Sequence, residues 1–359
     1  MNPAKAYAHL FSPLGGEGGE NYRAPGQLTF LRAPHVPLET AALKAHGARY
    51  AFVGVPFDEG NIGKPGSEDG PREFRIASQE YLSYWFEFGV DLDGLAVDCG
   101  DVPMPKVNPD SARERIYRAV RAVLEAGVTP IIVGGDRSIS IQAARALSDH
   151  IGHGKKMGCL HFGAHLDLAE SWAGEKLLST CALARITELP NLAATNVAHI
   201  GARNSMNPKD YIDLAKDRNL RFYPMFEIYE RGIDAVVKEA VAKVWDGTDA
   251  QYLSFNFNVM DASAAPGVTA TEPGGLESRE MIRVADVLGE RKTVSVIDVS
   301  ELAPVYDVSG TTSRLAVCTV LRLMAAMARA RGELVDPRLR RSDVAAAQQG
   351  DGAPTPSVL

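Results

Sequence analysis

Polar side chains follow the apolar run from Gln251 to Phe257, at the point where a buried strand would end. Asn256 and Asn258 stand two residues apart there, so an extended backbone points both to the same side. Carboxylates in these positions would hold a divalent cation. Carboxamides supply oxygen without charge and are poor ligands for a transition metal. The stretch therefore has the spacing of a metal-binding strand end but lacks the charge.

Two further segments place polar residues at predicted strand ends. Gly134-Gly135-Asp136-Arg137 ends one strand, and Gly163-Ala164-His165-Leu166-Asp167 follows another. His165 and Asp167 lie on one side of an extended backbone and could be metal ligands, whereas Arg137 would bring a cation into the same space. Ligands of parallel sheets bind beyond the carboxyl ends of the strands, so we expect these segments to face one site.

Apolar runs alternate with helical patterns from Tyr50 onward. The predicted strands are Tyr50–Val55, Leu95–Cys99, Thr129–Val133, Met157–Phe162, Val197–Ile200, Arg221–Tyr223, Gln251–Phe257 and Thr293–Val299. This alternation predicts a three-layer α/β/α domain, with about eight mostly parallel strands and helices on both faces.

Capping patterns predict where several helices begin. Ser111 to Glu114 has the form of a capping box, and Asn207-Pro208 offers a cap followed by a first-turn proline. Further helices are predicted from about Ser278 and from Thr311 to Arg331.

The chain is predicted to form one domain between two terminal segments. Residues 1–38 are interpreted as an extended arm, residues 39–331 as a single α/β domain, and residues 332–359 as a disordered tail, since they are polar and rich in Ala, Gln and Pro. Because Gln27 to Arg32 is apolar, we expect it to pack on the body or on a neighbouring subunit.

Composition and charge exclude several classes of function. A net charge of −7 offers no basic surface for nucleic acid. No apolar run is long enough to cross a bilayer, and the first residues lack a signal-peptide pattern. Four scattered cysteines without CxxC spacing indicate free thiols. These observations predict a cytoplasmic protein.

The strand-end segments, in this order and at these separations, resemble those of the ureohydrolases, the family of arginases, agmatinases and guanidinobutyrases. The resemblance runs from about Gln27 to Arg331 and is most specific from Ala265 to Glu280. It implies the arginase-like fold and assembly as trimers or hexamers. It also implies a site with two divalent cations, manganese or nickel, whose hydroxide attacks a guanidinium carbon.

The resemblance also shows which metal ligands are missing. The family's ligands lie in GGDH, DAHxD and SxDxD motifs, and four of those positions carry other residues here. The replacements are Arg137 for the histidine, Gly163 for the first aspartate of the second motif, and Asn256 and Asn258 for both aspartates of the third. His165 and Asp167 remain, and one imidazole with one carboxylate cannot offset four positive charges. The resemblance therefore implies a degenerate site, with no metal and no catalytic residue in this chain.

Several individual residues keep two interpretations. Arg137 either pairs with Asp167 in the space of a lost metal or binds an anionic ligand. His165 and Asp167 either form a polar pair in a filled pocket or hold a single metal ion. Glu280 is the candidate ligand-binding residue, because the resemblance aligns it with the carboxylate that receives the substrate's guanidinium group; the alternative is an ion pair with Arg279 or Arg137.

The functional hypothesis is a catalytically inactive subunit that assembles with a catalytically complete paralogue, which would carry the nickel or manganese, in a mixed trimer or hexamer. The pattern of lost ligands is similar to that of the ligand-poor subunits of two-component metformin hydrolases. This similarity implies that the complex cleaves metformin to guanylurea and dimethylamine. The alternatives are a stand-alone single-metal hydrolase of a guanidine-type compound and a metal-free regulatory protein that binds a guanidinium group.

Overall fold

The computed structural model describes residues 28–105 and 107–333. Most of the predicted arm (1–27) and almost all of the predicted tail (334–359) lie outside these ranges. None of the helices within them is long and apolar enough to cross a membrane.

The described chain alternates strands and helices from its first helix to its last. The strands are β1 (Tyr50–Val55), β2 (Tyr84–Trp85), β3 (Val90–Asp91), β4 (Ala96–Asp101), β5 (Thr129–Gly134), β6 (Met157–Phe162), β7 (Val197–Ile200), β8 (Arg221–Tyr223), β9 (Ala250–Asn256) and β10 (Val296–Ser300). The α-helices are α1 (Thr40–His46), α2 (Gly70–Ser78), α3 (Pro109–Glu125), α4 (Ile139–Ile151), α5 (Ala182–Ile186), α6 (Lys209–Asp217), α7 (Met225–Arg231), α8 (Ile233–Val244), α9 (Ser278–Gly289) and α10 (Thr311–Arg331).

Eight of the strands form one parallel sheet in the order β4-β1-β5-β10-β9-β6-β7-β8. The predicted three-layer α/β/α architecture and the eight predicted strands are confirmed. The antiparallel hairpin of β2 and β3 was not predicted, because each strand has only two residues and shows no alternation long enough to detect.

The central strands are buried on both faces, as expected of a parallel sheet. Alternate residues of β9 face opposite cores: Leu253 and Phe255 contribute to one, and Tyr252 contributes to the other. Helices α8, α9 and α10 pack on the first face, whereas α3, α4 and α5 cover the second. The carboxyl ends of the strands consequently meet at one edge, between two helical layers.

Two predicted helix starts differ from the structure. Helix α3 begins at Pro109, where the Asn108 side chain accepts a hydrogen bond from the Ser111 amide, so Asn108 takes the capping role that the pattern assigned to Ser111. Asn207 does not cap α6. Its side chain accepts from the Leu166 amide and donates to the carbonyl of Ala164, so it ties the loops after β7 and β6 together.

Residues 28–38, the part of the predicted arm that the structure describes, contact the body of the domain. Phe30 is buried and stacks on Phe52 and Phe74, and its amide donates to Asp98. Arg75 forms a buried ion pair with the same carboxylate at 2.7 Å. Gln27 to Arg32 was predicted to pack either on the body or on a neighbouring subunit, and Phe30 packs on the body.

Candidate site at the carboxyl edge of the sheet

Four neighbouring strands bring the predicted site together. In the order β5-β10-β9-β6 their carboxyl ends are adjacent, and Ser300 of β10 pairs with Asn256 of β9. The segments that follow these strands carry Arg137, Asp167, Asn258 and Glu301, and all four residues are buried. We call these four residues with Asn256, His165 and Asp136 the strand-end cluster.

Arg137 is fully buried, with 0% of its surface exposed. Its Nε lies 3.5 Å from Oδ2 of Asp167, so the predicted ion pair is present. Within the described residues none of the three guanidinium nitrogens makes a hydrogen bond, and the pair is therefore a charge contact only. Burial raises the pKa of Asp167 to about 7, although the charge of Arg137 opposes this rise.

Both asparagines make hydrogen bonds to other groups of the protein. Asn256 Oδ1 accepts from the Asn258 amide at 3.1 Å. Asn258 Oδ1 accepts from the Ala164 amide at 2.8 Å, and its Nδ2 donates to Oε2 of Glu301 at 2.9 Å. A carboxylate at position 258 could not make the last of these bonds, because it has no proton to donate. The amide at this position therefore stabilises the cluster without a cation.

Glu301 is a member of the cluster that the sequence analysis missed. It directly follows β10, is buried, and has a φ of 67°, a left-handed conformation that is uncommon for glutamate. Burial, with the neighbouring Asp167 and Asp136, raises the pKa of its carboxyl to about 8. In the sequence, its place directly after a predicted strand was the available signal. In the structure, its left-handed backbone is a second one, because non-glycine residues in such conformations concentrate at functional sites.

His165 and Gly163 lie in the loop after β6. The Nδ1 atom of His165 is 3.3 Å from Nδ2 of Asn258, and its Nε2 is 3.8 Å from a carboxylate oxygen of Glu272. Burial lowers the pKa of His165 despite Glu272, so the imidazole is neutral at pH 7. A Cβ atom at Gly163 would lie 3.1 Å from two ring atoms of His161, a tight contact that a larger residue could occupy only after a small shift.

Asp136 contributes a carboxylate that is already used by the backbone. It accepts hydrogen bonds from the Ser138 amide at 2.7 Å and the Gly60 amide at 2.8 Å. Burial raises its pKa to about 6 even though these bonds lower it. This carboxylate fixes the turn between β5 and α4 against the loop after β1.

The cluster does not fit the two-cation centre that the resemblance implies. A dinuclear site needs converging carboxylates and imidazoles. Here a buried guanidinium contacts Asp167, and Asn258 donates to Glu301. Within residues 28–105 and 107–333, no group of three or more His, Cys, Asp or Glu side chains is placed to hold a metal ion.

Glu280, the predicted ligand-binding residue, has a capping role in the structure. It occupies the first turn of α9, where its Oε2 accepts a hydrogen bond from the Glu277 amide at 2.8 Å. Together the two glutamates form a capping box, which satisfies amides that have no partner within the helix. One oxygen of its carboxylate thus stabilises the helix start, and binding of a guanidinium group by Glu280 stays a prediction.

Arg203 holds the loops around the cluster in place. Its guanidinium donates to six backbone carbonyls, among them those of Asn258 at 3.0 Å, Met260 at 2.9 Å and Glu272 at 2.8 Å. The side chain thus joins the loop after β7, the turn after β9 and the loop that precedes α9.

We expect Arg203→Lys to destabilise the chain by at least about 3 kcal/mol. A lysine ammonium cannot reach carbonyls on three segments, and each charged hydrogen bond that is lost contributes about 1.5–3 kcal/mol. Urea unfolding measures the loss. Arg279→Lys is the control, since the Arg279 side chain is almost fully exposed. Equal stability of the two variants would show that the hydrogen bonds of Arg203 do not hold the three segments together.

Comparison with known proteins identifies the class and then the family. The eight-stranded parallel sheet with helices on both faces is the arginase-type α/β/α fold. The structure of proclavaminate amidino hydrolase from Streptomyces clavuligerus is similar, with a TM-score of 0.77 and 27% sequence identity. The similarity covers 85% of this chain and 98% of that one. The sequence pattern described as the Arginase family matches residues 48–326. This chain therefore belongs to the arginase family.

Two curated relatives cover most of the chain. Guanidinobutyrase from Pseudomonas aeruginosa is 32% identical over 313 residues, which are 86% of this chain and 93% of the relative. The mitochondrial agmatinase of Gallus gallus is 30% identical over 310 residues, which are 85% of this chain and 87% of the relative.

Proposed function

We propose that this chain is a catalytically inactive arginase-family subunit that assembles with a metal-containing paralogue and supports its activity. The observation that carries the proposal is the buried guanidinium of Arg137, which contacts Asp167 at 3.5 Å where the resemblance implies a cation. A fixed positive charge and a divalent metal repel each other at this distance. The chain would thus keep its fold while another chain performs the chemistry.

Two further features support a scaffold rather than an unused copy. The carbonyl clamp of Arg203 and the capping box of α9 shape the loops of the site without any metal. Large apolar side chains are also exposed on the loops that follow several strands of the sheet. These are Ile62, Trp172, Met206, Val305 and Val308. Because these loops all follow strands of the parallel sheet, the five side chains lie at its carboxyl edge, where the paralogue would cover them.

The substrate of the complex would be a guanidine or biguanide compound. The relatives named guanidinobutyrase and guanidinopropionase support this class. The specific proposal is metformin, hydrolysed with one water to guanylurea and dimethylamine at a nickel or manganese centre in the paralogue. The complex would be a mixed trimer or hexamer in the cytoplasm.

The test is co-expression of this chain with a paralogue that has complete GGDH, DAHxD and SxDxD motifs. We expect turnover of metformin by the complex, no turnover by this chain alone, and metal only in the paralogue by elemental analysis. His165→Ala in this chain should leave the rate of the complex within about twofold, because the imidazole contributes to no metal site.

Each alternative has its own outcome in the same experiment. About one metal ion per chain, with turnover by this chain alone, would contradict the proposal and favour the single-metal hydrolase. Thermal stabilisation of the metal-free chain by a guanidine compound, with no change in the paralogue's rate on co-expression, would favour the regulatory protein.

A further inference from the structure

Two loops at the carboxyl edge of the sheet pack against each other, one after β1 and one after β10. A Cβ atom at Gly66, in the first loop, would lie 2.8 Å from Cγ1 of Val305 in the second. One at Gly70, where the first loop enters α2, would lie 2.8 Å from the carbonyl oxygen of Leu302. The exposed side chains of the two loops therefore belong to one surface.

An aspartate ties down each of the two loops. In the loop after β1, the Asp58 carboxylate accepts a hydrogen bond from the amide of Gly66 at 2.6 Å. In the loop after β10, the Asp307 carboxylate accepts from the amides of Thr312 at 2.8 Å and Ser313 at 2.9 Å, which fixes the loop to the start of α10. Loops that are fixed before they bind lose less conformational entropy on association.

The shared surface combines apolar and acidic side chains. Val305 and Val308 are 70% and 72% exposed. Glu68 and Asp69 follow Gly66 closely and are also exposed. The side chain of Asp69 does not cap α2, although the residue stands at the N-cap position of that helix. We call Glu68, Asp69, Val305 and Val308 the loop face.

The charge around the loop face is negative. Residues 58–73 carry five acidic and two basic side chains, so their net charge is −3. One of the basic side chains, Lys64, lies over the Tyr306 ring, with Nζ 5.4 Å from the ring centre. Burial raises the pKa of Glu73, and Asp307 of the other loop raises it further, so carboxylates of both loops are close to each other. A second copy of this chain would bring the same charges to a face-to-face contact, whereas a basic partner would neutralise them.

We propose that the loop face binds a segment of the paralogue in which lysine or arginine side chains flank apolar ones. This contact presupposes the assembly proposed above and adds the chemistry that holds it. Val305 and Val308 lose contact with water on binding, and the basic side chains pair with Glu68 and Asp69. Because two acidic faces repel each other, the loop face selects the paralogue over a second copy of this chain.

Charge reversal in the co-expressed complex tests the contact, with dissociation measured by mass photometry on a dilution series. Glu68→Lys with Asp69→Lys is expected to raise the dissociation constant at least about tenfold in about 0.1 M salt. In about 1 M salt the difference should shrink to less than about threefold, because the Debye length falls from about 10 Å to about 3 Å. Asp93→Lys with Glu290→Lys is the matched control. Both of these carboxylates are exposed, but they precede β4 and β10 and so lie at the opposite edge of the sheet.

Two further variants keep the test independent of any effect of charge reversal on the start of α2. Glu68→Gln with Asp69→Asn keeps the size of both side chains and should weaken the complex less than the reversal does. With p-benzoylphenylalanine in place of Val305, irradiation is expected to link peptides of the paralogue that contain lysine or arginine. The same substitution at Phe86, which is 69% exposed but precedes β4, is expected to give no such links.

The outcomes separate this contact from the assembly itself. Equal dissociation constants for the reversed variant and its control would overturn the loop face as the contact, and so would links from position 305 only to other copies of this chain. In either case the complex would still agree with the proposed function. Absence of any complex with the natural chain would contradict both.

Discussion

A variant in which all four replaced ligand positions are restored is expected to bind divalent metal, and the natural chain is not. The substitutions are Arg137→His, Gly163→Asp, Asn256→Asp and Asn258→Asp. They remove the buried cation beside Asp167 and add three carboxylates and an imidazole to those that remain. Elemental analysis after growth with manganese or nickel measures the change, and no uptake by the variant would contradict the alignment on which the degenerate site rests.

The same variant is expected to be less stable than the natural chain when it is free of metal. Asn258 Nδ2 donates to Glu301 at 2.9 Å, so aspartate in its place removes this donor and puts a second acidic group against the Glu301 carboxyl. Removing Arg137 also leaves Asp167 without its nearby charge. Manganese or nickel should reverse the loss, by about 2.7 kcal/mol at a hundredfold excess over the dissociation constant.

Thermal unfolding with and without a chelator separates the effects of metal and substitution. The single variant Asn258→Asp is the control: it should lose stability and show no rescue by metal, because Arg137 remains in place. A metal-dependent shift in the single variant equal to that in the fourfold variant would mean that Arg137 does not exclude a cation.

The sheet was predictable from the sequence because each of its strands is an apolar run with few alternatives. Strands such as Met157–Phe162 are buried on both faces, and burial of that kind leaves the same pattern in any parallel sheet. The start of α3 was not, since Asn108 and Ser111 are both good caps and only the backbone shows which one is used. Local sequence determines that a helix starts there, but packing selects the residue.

The site was predictable only in part, for a reason of topology. The contact between Arg137 and Asp167 could be predicted from their opposite charges, because both residues follow strands whose carboxyl ends face one edge, although β10 and β9 lie between β5 and β6. Glu301 could not be assigned in this way, because β10 is the last strand in sequence yet lies between β5 and β9 in the sheet. Separation in sequence does not indicate that Glu301 contacts Asn258, whereas Glu280 is the last residue of the most specific stretch of the resemblance.

The stability of the natural chain is expected to fall as the pH rises from 6.5 to 8.5. Burial raises the pKa of Asp167 to about 7 and that of Glu301 to about 8, both far above their values in an unfolded chain. The folded state therefore holds these protons more tightly than the unfolded state does. Their contribution to stability is complete at low pH and is lost as the pH rises through the raised values. For Glu301 alone the loss over this range is on the order of 2 kcal/mol.

Two buried histidines limit this trend on the acidic side. Burial lowers the pKa of His199 to about 3, and it also lowers the pKa of His161 well below its usual value. Both remain neutral in the folded protein but take up protons when it unfolds, so they reduce stability as the pH falls below about 6.5. The two sets of groups oppose each other below that pH, so the gain in stability on acidification is expected to level off below about pH 6.

Glu301→Gln separates the carboxyl group from the rest of the cluster, because glutamine keeps an oxygen that can accept from Asn258 but does not titrate. Urea unfolding at pH 6.5, 7.5 and 8.5 should show a much flatter profile for this variant than for the natural chain. Glu280→Gln should keep the natural slope, since that carboxylate belongs to the capping box of α9. If both variants kept the slope, the proton held by Glu301 would not be what couples folding of this site to pH. Loss of the slope in Glu301→Gln alone would show that a proton helps to hold together carboxyl groups that a metal-binding relative would neutralise with cations.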